Sequence, residues 1–227
     1  MKIISIVSGG MDSVSMLYMQ AKYKHNIHVL SFDYGQRHKK ELEYARLAAY
    51  DVGGIWDCVD LSGLTHLIGG SSLTDNIPVP DGHYAQENMK ITVVPNRNAI
   101  MLSIAYGVAV AEQADAVAIA IHAGDHFIYP DCRPGFASAF EKMQNEAIDG
   151  FGKVELLTPF IKYSKSNIVK EGHTAGVPFK KTWSCYKGGD VHCGTCGTCV
   201  ERKEAFELAG IKDPTIYSTI ADMSDKS

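Results

Sequence analysis

A short β-rich run at residues 3–7 passes into Ser8-Gly9-Gly10-Met11-Asp12-Ser13 and then into an amphipathic run at 14–23. That order predicts strand, tight turn and helix. Paired glycines at 9 and 10 let the backbone turn sharply and come close to a ligand. Asp12 or Ser13 is placed to cap the helix, and the free N–H groups of a first helical turn favour an anion. Ser8, Gly9, Gly10, Met11, Asp12, Ser13 and Val14 therefore read as a phosphate cradle. The Lys-Ser/Thr ending by which a Walker A loop reaches the outer phosphates is absent. Grip on a pyrophosphate then falls to backbone and hydroxyl contacts.

Placed directly after a first strand, the order Ser-Gly-Gly-X-Asp-Ser resembles the signature of the PP-loop ATP pyrophosphatases, which split ATP between its α and β phosphates and adenylate a substrate. The rest of the chain is compatible with such an enzyme. With 227 residues, 45% hydrophobic and 21% charged, it can bury one sizeable core without disulfides. A net charge of -4 argues against general affinity for nucleic acid or an anionic membrane. No apolar run reaches transmembrane length, and residues 1–7 lack a signal-peptide layout, so a cytoplasmic location is expected.

Residues 27–32, 55–59, 116–121 and 154–157 read as further strands, and 39–50, 99–113, 136–148, 164–174 and 200–208 as helices. Strand–helix units in succession imply parallel strands with right-handed crossovers and a nucleotide at their carboxyl ends. The expectation is a doubly wound α/β fold on a mainly parallel five-stranded sheet, adenine nucleotide alpha hydrolase-like, over residues 1–177. A C-terminal metal-binding segment and helix follow at 178–227. Residues 61–89 break the rhythm and predict a lid or partner-contacting excursion. The nearly all-apolar run 99–113 predicts a helix buried by the sheet or by another subunit, and Cys58, inside a strand, predicts core packing.

Four of the six cysteines crowd together as Cys185-x7-Cys193-x2-Cys196-x2-Cys199. In a reducing compartment such spacing points to metal. Two-residue gaps with glycine let the sulfurs converge on one tetrahedral ion, with Zn2+ the first choice and an iron–sulfur cluster the competitor. His192 is adjacent and is an alternative ligand.

Several stretches then agree with one PP-loop family, the 7-cyano-7-deazaguanine synthases or QueC family. They are residues 8–13, Asp33-Tyr34-Gly35-Gln36-Arg37-His38, Val94-Pro95-Asn96-Arg97-Asn98, Tyr129-Pro130-Asp131-Cys132-Arg133, Thr158-Pro159 and the cysteine block. The resemblance implies ligation of ammonia to 7-carboxy-7-deazaguanine at the expense of ATP, giving the nitrile in a zinc-containing homodimer. Met11 stands where that family usually has glutamine, and Asn96 where it usually has glycine. His122-Ala123-Gly124-Asp125-His126 replaces a segment that commonly includes a Cys-Glu pair.

Within that chemistry Mg2+ bridges the phosphates, with Asp12 a ligand. Arg97 or Arg133 clamps the substrate carboxylate. Asp125 or Asp131 accepts from the guanine-like edge, and Tyr129 lies in the same substrate-binding stretch. His38 and Lys162 are placed to assist the phosphates. Cys132 suggests either a thioimidate nucleophile or a small loop residue. Two other functions compete with the synthase: a tRNA thiolase of the PP-loop superfamily, and a nucleotide sensor without turnover.

Overall fold

The computed structural model describes residues 1–37, 39–83 and 87–218. Five strands, β1 (Lys2–Ile6), β2 (Asn26–Asp33), β3 (Ile55–Asp60), β4 (Ala116–Ala118) and β5 (Glu155–Leu157), form one parallel sheet in the order β3-β2-β1-β4-β5. Around it lie α1 (Met11–Lys22), α2 (Lys40–Asp51), α3 (Arg97–Ala111), α4 (Pro134–Ala147), α5 (Lys165–Ala175) and α6 (Gly197–Ala209). The expected doubly wound architecture is the one observed.

Strand periodicity divides the core. Ile4 and Ile6 of β1 point with Leu30 and Phe32 of β2 toward α3 and α4, where Leu102, Ala105, Tyr106 and Phe140 bury them. Their neighbours Ile27 and Val29 face the other way, into a cluster with Val14, Leu17, Ala45, Ala49 and Val169. Ala205 and Phe206 of α6 join that second cluster, so the C-terminal helix packs on the same layer as α1 and α5. Chain order reverses between β1 and β4, and the carboxyl ends of these neighbours open a crevice of the kind that binds ligands in such sheets.

Three expectations need correction. β4 stops at Ala118 rather than 121, because its partner β1 pairs only to Ser5↔Ala118 before the chain turns away into the loop. Helix α3 ends at Ala111 rather than 113, where Gln113 takes a left-handed conformation (φ 54°), and within this chain it buries one face and leaves Ser103 and Gly107 exposed. Cys58 is exposed, because β3 is the edge strand. The described part of the 61–89 excursion packs back on the domain: Leu73 is in the core, Val79 packs on the cysteine cluster, and Asp81 bridges to Cys196.

Candidate active site

The loop after β1 is a tight cradle. Gly9 takes φ +90°, and a Cβ there would lie 2.0 Å from the Glu41 carbonyl oxygen, so only glycine fits. Helix α1 begins at Met11 with extended Gly10 as its N-cap and no side-chain cap, so Asp12 and Ser13 sit inside the first turn instead of capping it. Ser13 Oγ accepts from the Ser8 amide at 3.2 Å and donates to the Gly10 carbonyl at 3.2 Å, closing the loop on itself. The first intrahelical bond runs from the Val14 amide to the Gly10 carbonyl (3.0 Å), so the amides before it face the mouth of the loop.

The loop forms one wall of a cavity of about 240 Å³ at the β1/β4 crevice. Ser8, Gly10, Met11, Asp12 and Ser13 line it, together with Phe32, Tyr34, Glu41, Arg97, Asp125, Tyr129, Lys165, Trp183 and Glu201. Trp183 arrives from the segment before Cys185 and is fixed there by its amide, which donates to the Gly9 carbonyl at 2.9 Å.

A charged cluster stands behind the loop. Lys165, the first residue of α5, opposes the positive end of its helix dipole. Burial disfavours its ammonium, but Asp12 (3.4 Å), Glu201 and Asp125 outweigh this and raise its pKa. Glu201 is buried, and burial raises its own pKa against the pull of Lys165. His122 is 1% exposed, and its Nδ1 accepts from the Gly124 amide at 3.1 Å. Its Nε2 lies 3.3 Å from Asp125 Oδ2 and 3.7 Å from Asp12 Oδ2 and is buried without a hydrogen bond. His122, Asp125 and Glu201 bring ligand atoms within 4.8 Å of one another and form a second set, among the described residues, that could hold an ion.

On the opposite wall Arg97 opens α3, after Asn96 in the left-handed region (φ 58°). Asn tolerates that conformation better than most residues. Arg97 donates to the Tyr34 hydroxyl at 3.3 Å and lies 5.4 Å from that ring's centre. Burial alone would depress its pKa; Tyr34, Tyr186, Tyr129 and Asp131 instead raise it. Among the described residues no carboxylate lies within ion-pair distance of Arg97. Burial pushes Tyr34 up to about 12, so it stays a neutral hydroxyl.

The four cysteine sulfurs lie within 4.8 Å of one another, with Cys193 and Cys199 3.9 Å apart. Thiolates about 2.3 Å from one tetrahedral ion stand roughly 3.8 Å apart. Backbone amides of Cys193, Thr195 and Cys196 donate to sulfurs of the set at 3.3–3.4 Å, as suits thiolates that keep negative charge. The donor set fits a single bound metal. His192 stays outside it: its Nε2 accepts from the Ser184 amide at 3.1 Å, between Trp183 and Tyr217.

Of the residues singled out in the sequence, Ser8, Gly10, Met11, Asp12, Ser13, Arg97, Asp125, Tyr129 and Cys132 line the cavity. Gly9 and Val14 do not line it, and Val14 is buried in the core. Arg133 does not line it: it is exposed, and its Nε donates to the His126 carbonyl at 2.8 Å. Asp131 also lies outside the lining, and its carboxylate accepts from the Asn98 amide at 3.1 Å at the start of α3. Lys162 is exposed and off the cavity, and Lys165, a turn further on, lines it beside Asp12. His38 falls outside the described residues. Burial raises the Cys132 thiol, which argues for the small loop residue over the nucleophile. Glu41, Lys165, Trp183 and Glu201 escaped the sequence reading, and His122 entered it only as part of the 122–126 segment. Glu201 lies two residues past Cys199, and that proximity to the cysteine block was its only signal.

The model of the queuosine biosynthesis protein QueC family matches residues 2–210. Among curated proteins, the 7-cyano-7-deazaguanine synthase of Ruegeria pomeroyi is 60% identical over 218 residues, covering 96% of this chain and 95% of that protein. The enzyme of the same name from Rhizobium etli is 58% identical over 217 residues, covering 96% and 92%. Among solved structures, the NMN synthetase of Francisella tularensis shares the fold, with TM-score 0.50 and 12% identity over 98% of this chain and 80% of that one. With a family model matching residues 2–210 and relatives 58–60% identical over 96% of its length, the chain belongs to the QueC family.

Proposed function

We propose that this chain carries out the reaction for which its relatives are named, turning 7-carboxy-7-deazaguanine, ammonia and ATP into 7-cyano-7-deazaguanine. The observation that carries this reading is the asymmetry of the two cavity cations. Lys165 is already neutralised by acidic neighbours, whereas Arg97 donates to a neutral hydroxyl and lines the cavity without a carboxylate partner. A shielded guanidinium of this kind calls for an anion from the ligand, and a carboxylate fits it bidentately.

The loop amides and Ser13 hold the β and γ phosphates of ATP and stabilise the charge that builds on the leaving pyrophosphate. Arg97 orients the substrate carboxylate so that one oxygen attacks the α-phosphorus. Ammonia then displaces AMP from the acyl-adenylate. A second adenylation, on the amide oxygen, turns that oxygen into a leaving group and permits the nitrile to form. Asp125 or Tyr129 contacts the deazaguanine ring. Asp131 and Arg133 act on the site indirectly, through the start of α3 and the 126–133 loop. Mg2+ on the phosphates would be held by Asp12, which has an oxygen buried without a hydrogen bond. Zn2+ would be held by Cys185, Cys193, Cys196 and Cys199 and would supply a structural cross-link. We further propose that the protein works in the cytoplasm as a homodimer, without nucleic acid.

The test is direct: incubate the purified chain with ATP, ammonia and 7-carboxy-7-deazaguanine, then measure AMP, pyrophosphate and the product mass. The nitrile, with both by-products, is expected. Nucleotide binding without AMP release would indicate a sensor, and sulfur incorporation into tRNA a thiolase.

A further inference from the structure

One cavity-lining group has no part in the chemistry above. Glu41, in the first turn of α2, faces the same space as Arg97, Tyr34 and Met11. Its carboxylate is bracketed on one side only. Gln36 accepts from the Tyr34 amide (2.8 Å) through Oε1, and its Nε2 donates to the Phe32 carbonyl (3.1 Å) and to Glu41 Oε1 (3.3 Å). The Gln36 amide is thereby locked and Glu41 Oε1 is held, while among the described residues Oε2 makes no hydrogen bond. The backbone of Glu41 is equally constrained, because its carbonyl lies where a Cβ on Gly9 would stand. A carboxylate anchored at one oxygen, with the other free in the cavity that Arg97 also lines, is placed to act on the atom joined to the acid that Arg97 grips.

We infer that Glu41 is a catalytic residue, the proton acceptor for the nitrogen as it is added to the carbonyl carbon and then stripped of hydrogen to form the nitrile. The inference rests on the reaction proposed above. In the first half, the ammonia lone pair forms the C–N bond, the C–O bond to AMP breaks with its electron pair leaving on the phosphate, and the surplus N–H proton passes to Glu41. In the second half, the amide oxygen is adenylated with loss of pyrophosphate. The two remaining N–H protons then depart as the C–O bond breaks and the carbon–nitrogen triple bond forms, and Glu41 takes them one at a time, shedding each to water. No oxidant or reductant is needed. The ionisation of Glu41 suits this use: burial lifts its pKa to about 7, against the opposing pull of Arg97 from α3 and the hydrogen bond from Gln36. Besides Arg97, the titratable group facing it is Tyr34 from the β2–α2 turn, which stays neutral in this range.

The experiment separates adenylation from nitrogen chemistry. Substrate-dependent exchange of labelled pyrophosphate into ATP reports the first adenylation, which transfers no nitrogen proton. Nitrile formation is followed in parallel from pH 5.5 to 8.5 at constant free-ammonia concentration. The parent should show both activities, with nitrile formation rising through a midpoint near 7 as Glu41 loses its proton. Glu41→Gln should keep exchange within about threefold, lose nitrile formation by 100-fold or more, and lose the acid limb, whereas Glu41→Asp should restore part of the rate with a shifted limb. Glu41→Gln that makes nitrile at the parent rate with the same limb overturns the inference. So does a parallel fall in exchange, which would make Glu41 a prop for Arg97. A parent without substrate-dependent exchange would instead sink the proposed reaction itself.

Discussion

At the scale of single residues the site depends on backbone that few side chains tolerate. Gly9 is the extreme case, since alanine there meets both a positive φ and a carbonyl oxygen 2.0 Å away. The left-handed conformation costs a non-glycine residue about 1–2 kcal/mol, and relief of the overlap must move Glu41 or the loop. Gly9→Ala should therefore lower the unfolding free energy by about 2 kcal/mol or more and raise the dissociation constant for ATP at least tenfold. Denaturant melts and calorimetric titration check both numbers. A variant that binds ATP normally would show that the loop does not hold the phosphates. Lys165 and Glu201 illustrate a different lesson, that a residue's charge says little without its partners. Lysines at 162 and 165 look alike in a sequence, yet one is exposed and the other is enclosed by carboxylates from α1 and α6.

At the scale of elements, the sheet is tied together at the end remote from the site. His28 of β2 is buried and meets Glu112, just past α3, at 2.7 Å through Nδ1 and Asp57 of β3 at 2.9 Å through Nε2. Lys2 at the start of β1 reaches the same Glu112 at 3.0 Å. Burial works against the Glu112 carboxylate, but Lys2 and His28 prevail and hold its pKa below the ordinary value. A depressed acid contributes stability that is present above its unfolded pKa and is lost as pH falls through the folded one. Glu112→Gln should cost about 0.5–1 kcal/mol at pH 7, with the difference from the parent vanishing below about pH 4. Chemical melts at pH 7 and pH 3.5 test this. An equal deficit at both values would mean that packing of the side chain, and not its charge, makes the tie.

At the scale of the whole molecule, the cysteine segment forms part of the active-site wall. The chain that leaves α5 sends the Trp183 amide to Gly9, closes around Cys185 to Cys199, and starts α6 so that Glu201 reaches Lys165. Arg202, 1% exposed, pins this segment from within by donating to Thr182 Oγ1 at 2.8 Å and to the Phe179 carbonyl at 2.9 Å. Stripping the metal under denaturant-free conditions should loosen this wall while the sheet persists. We expect one metal ion per chain by elemental analysis, Zn2+ being the proposed ion. Trp183 emission should shift to the red on chelation, at least tenfold weaker ATP binding should accompany it, and far-ultraviolet dichroism should change little. A Trp56→Phe background isolates the Trp183 signal. An unchanged spectrum and affinity after metal loss would separate the segment from the site.

The order of apolar periods and turns along the chain was enough to determine the parallel doubly wound sheet, the tight glycine loop at its first turn and the convergence of four cysteines into a set that could hold a metal. These are properties of local spacing: side-chain period sets strand or helix, paired glycines permit a turn, and two-residue gaps bring sulfurs together. Which loop residues face the cavity was decided by tertiary structure alone. Arg97 and Arg133 are equal as sequence, but Arg97 opens a helix beneath the cavity and Arg133 turns to solvent against the His126 carbonyl. Cys58 reads as core until strand order puts β3 at the edge. Glu41 becomes poised near neutrality only because burial by residues distant in the chain removes its water. Local conformation is written in neighbouring residues, whereas burial and charge pairing depend on segments that meet only when the sheet closes.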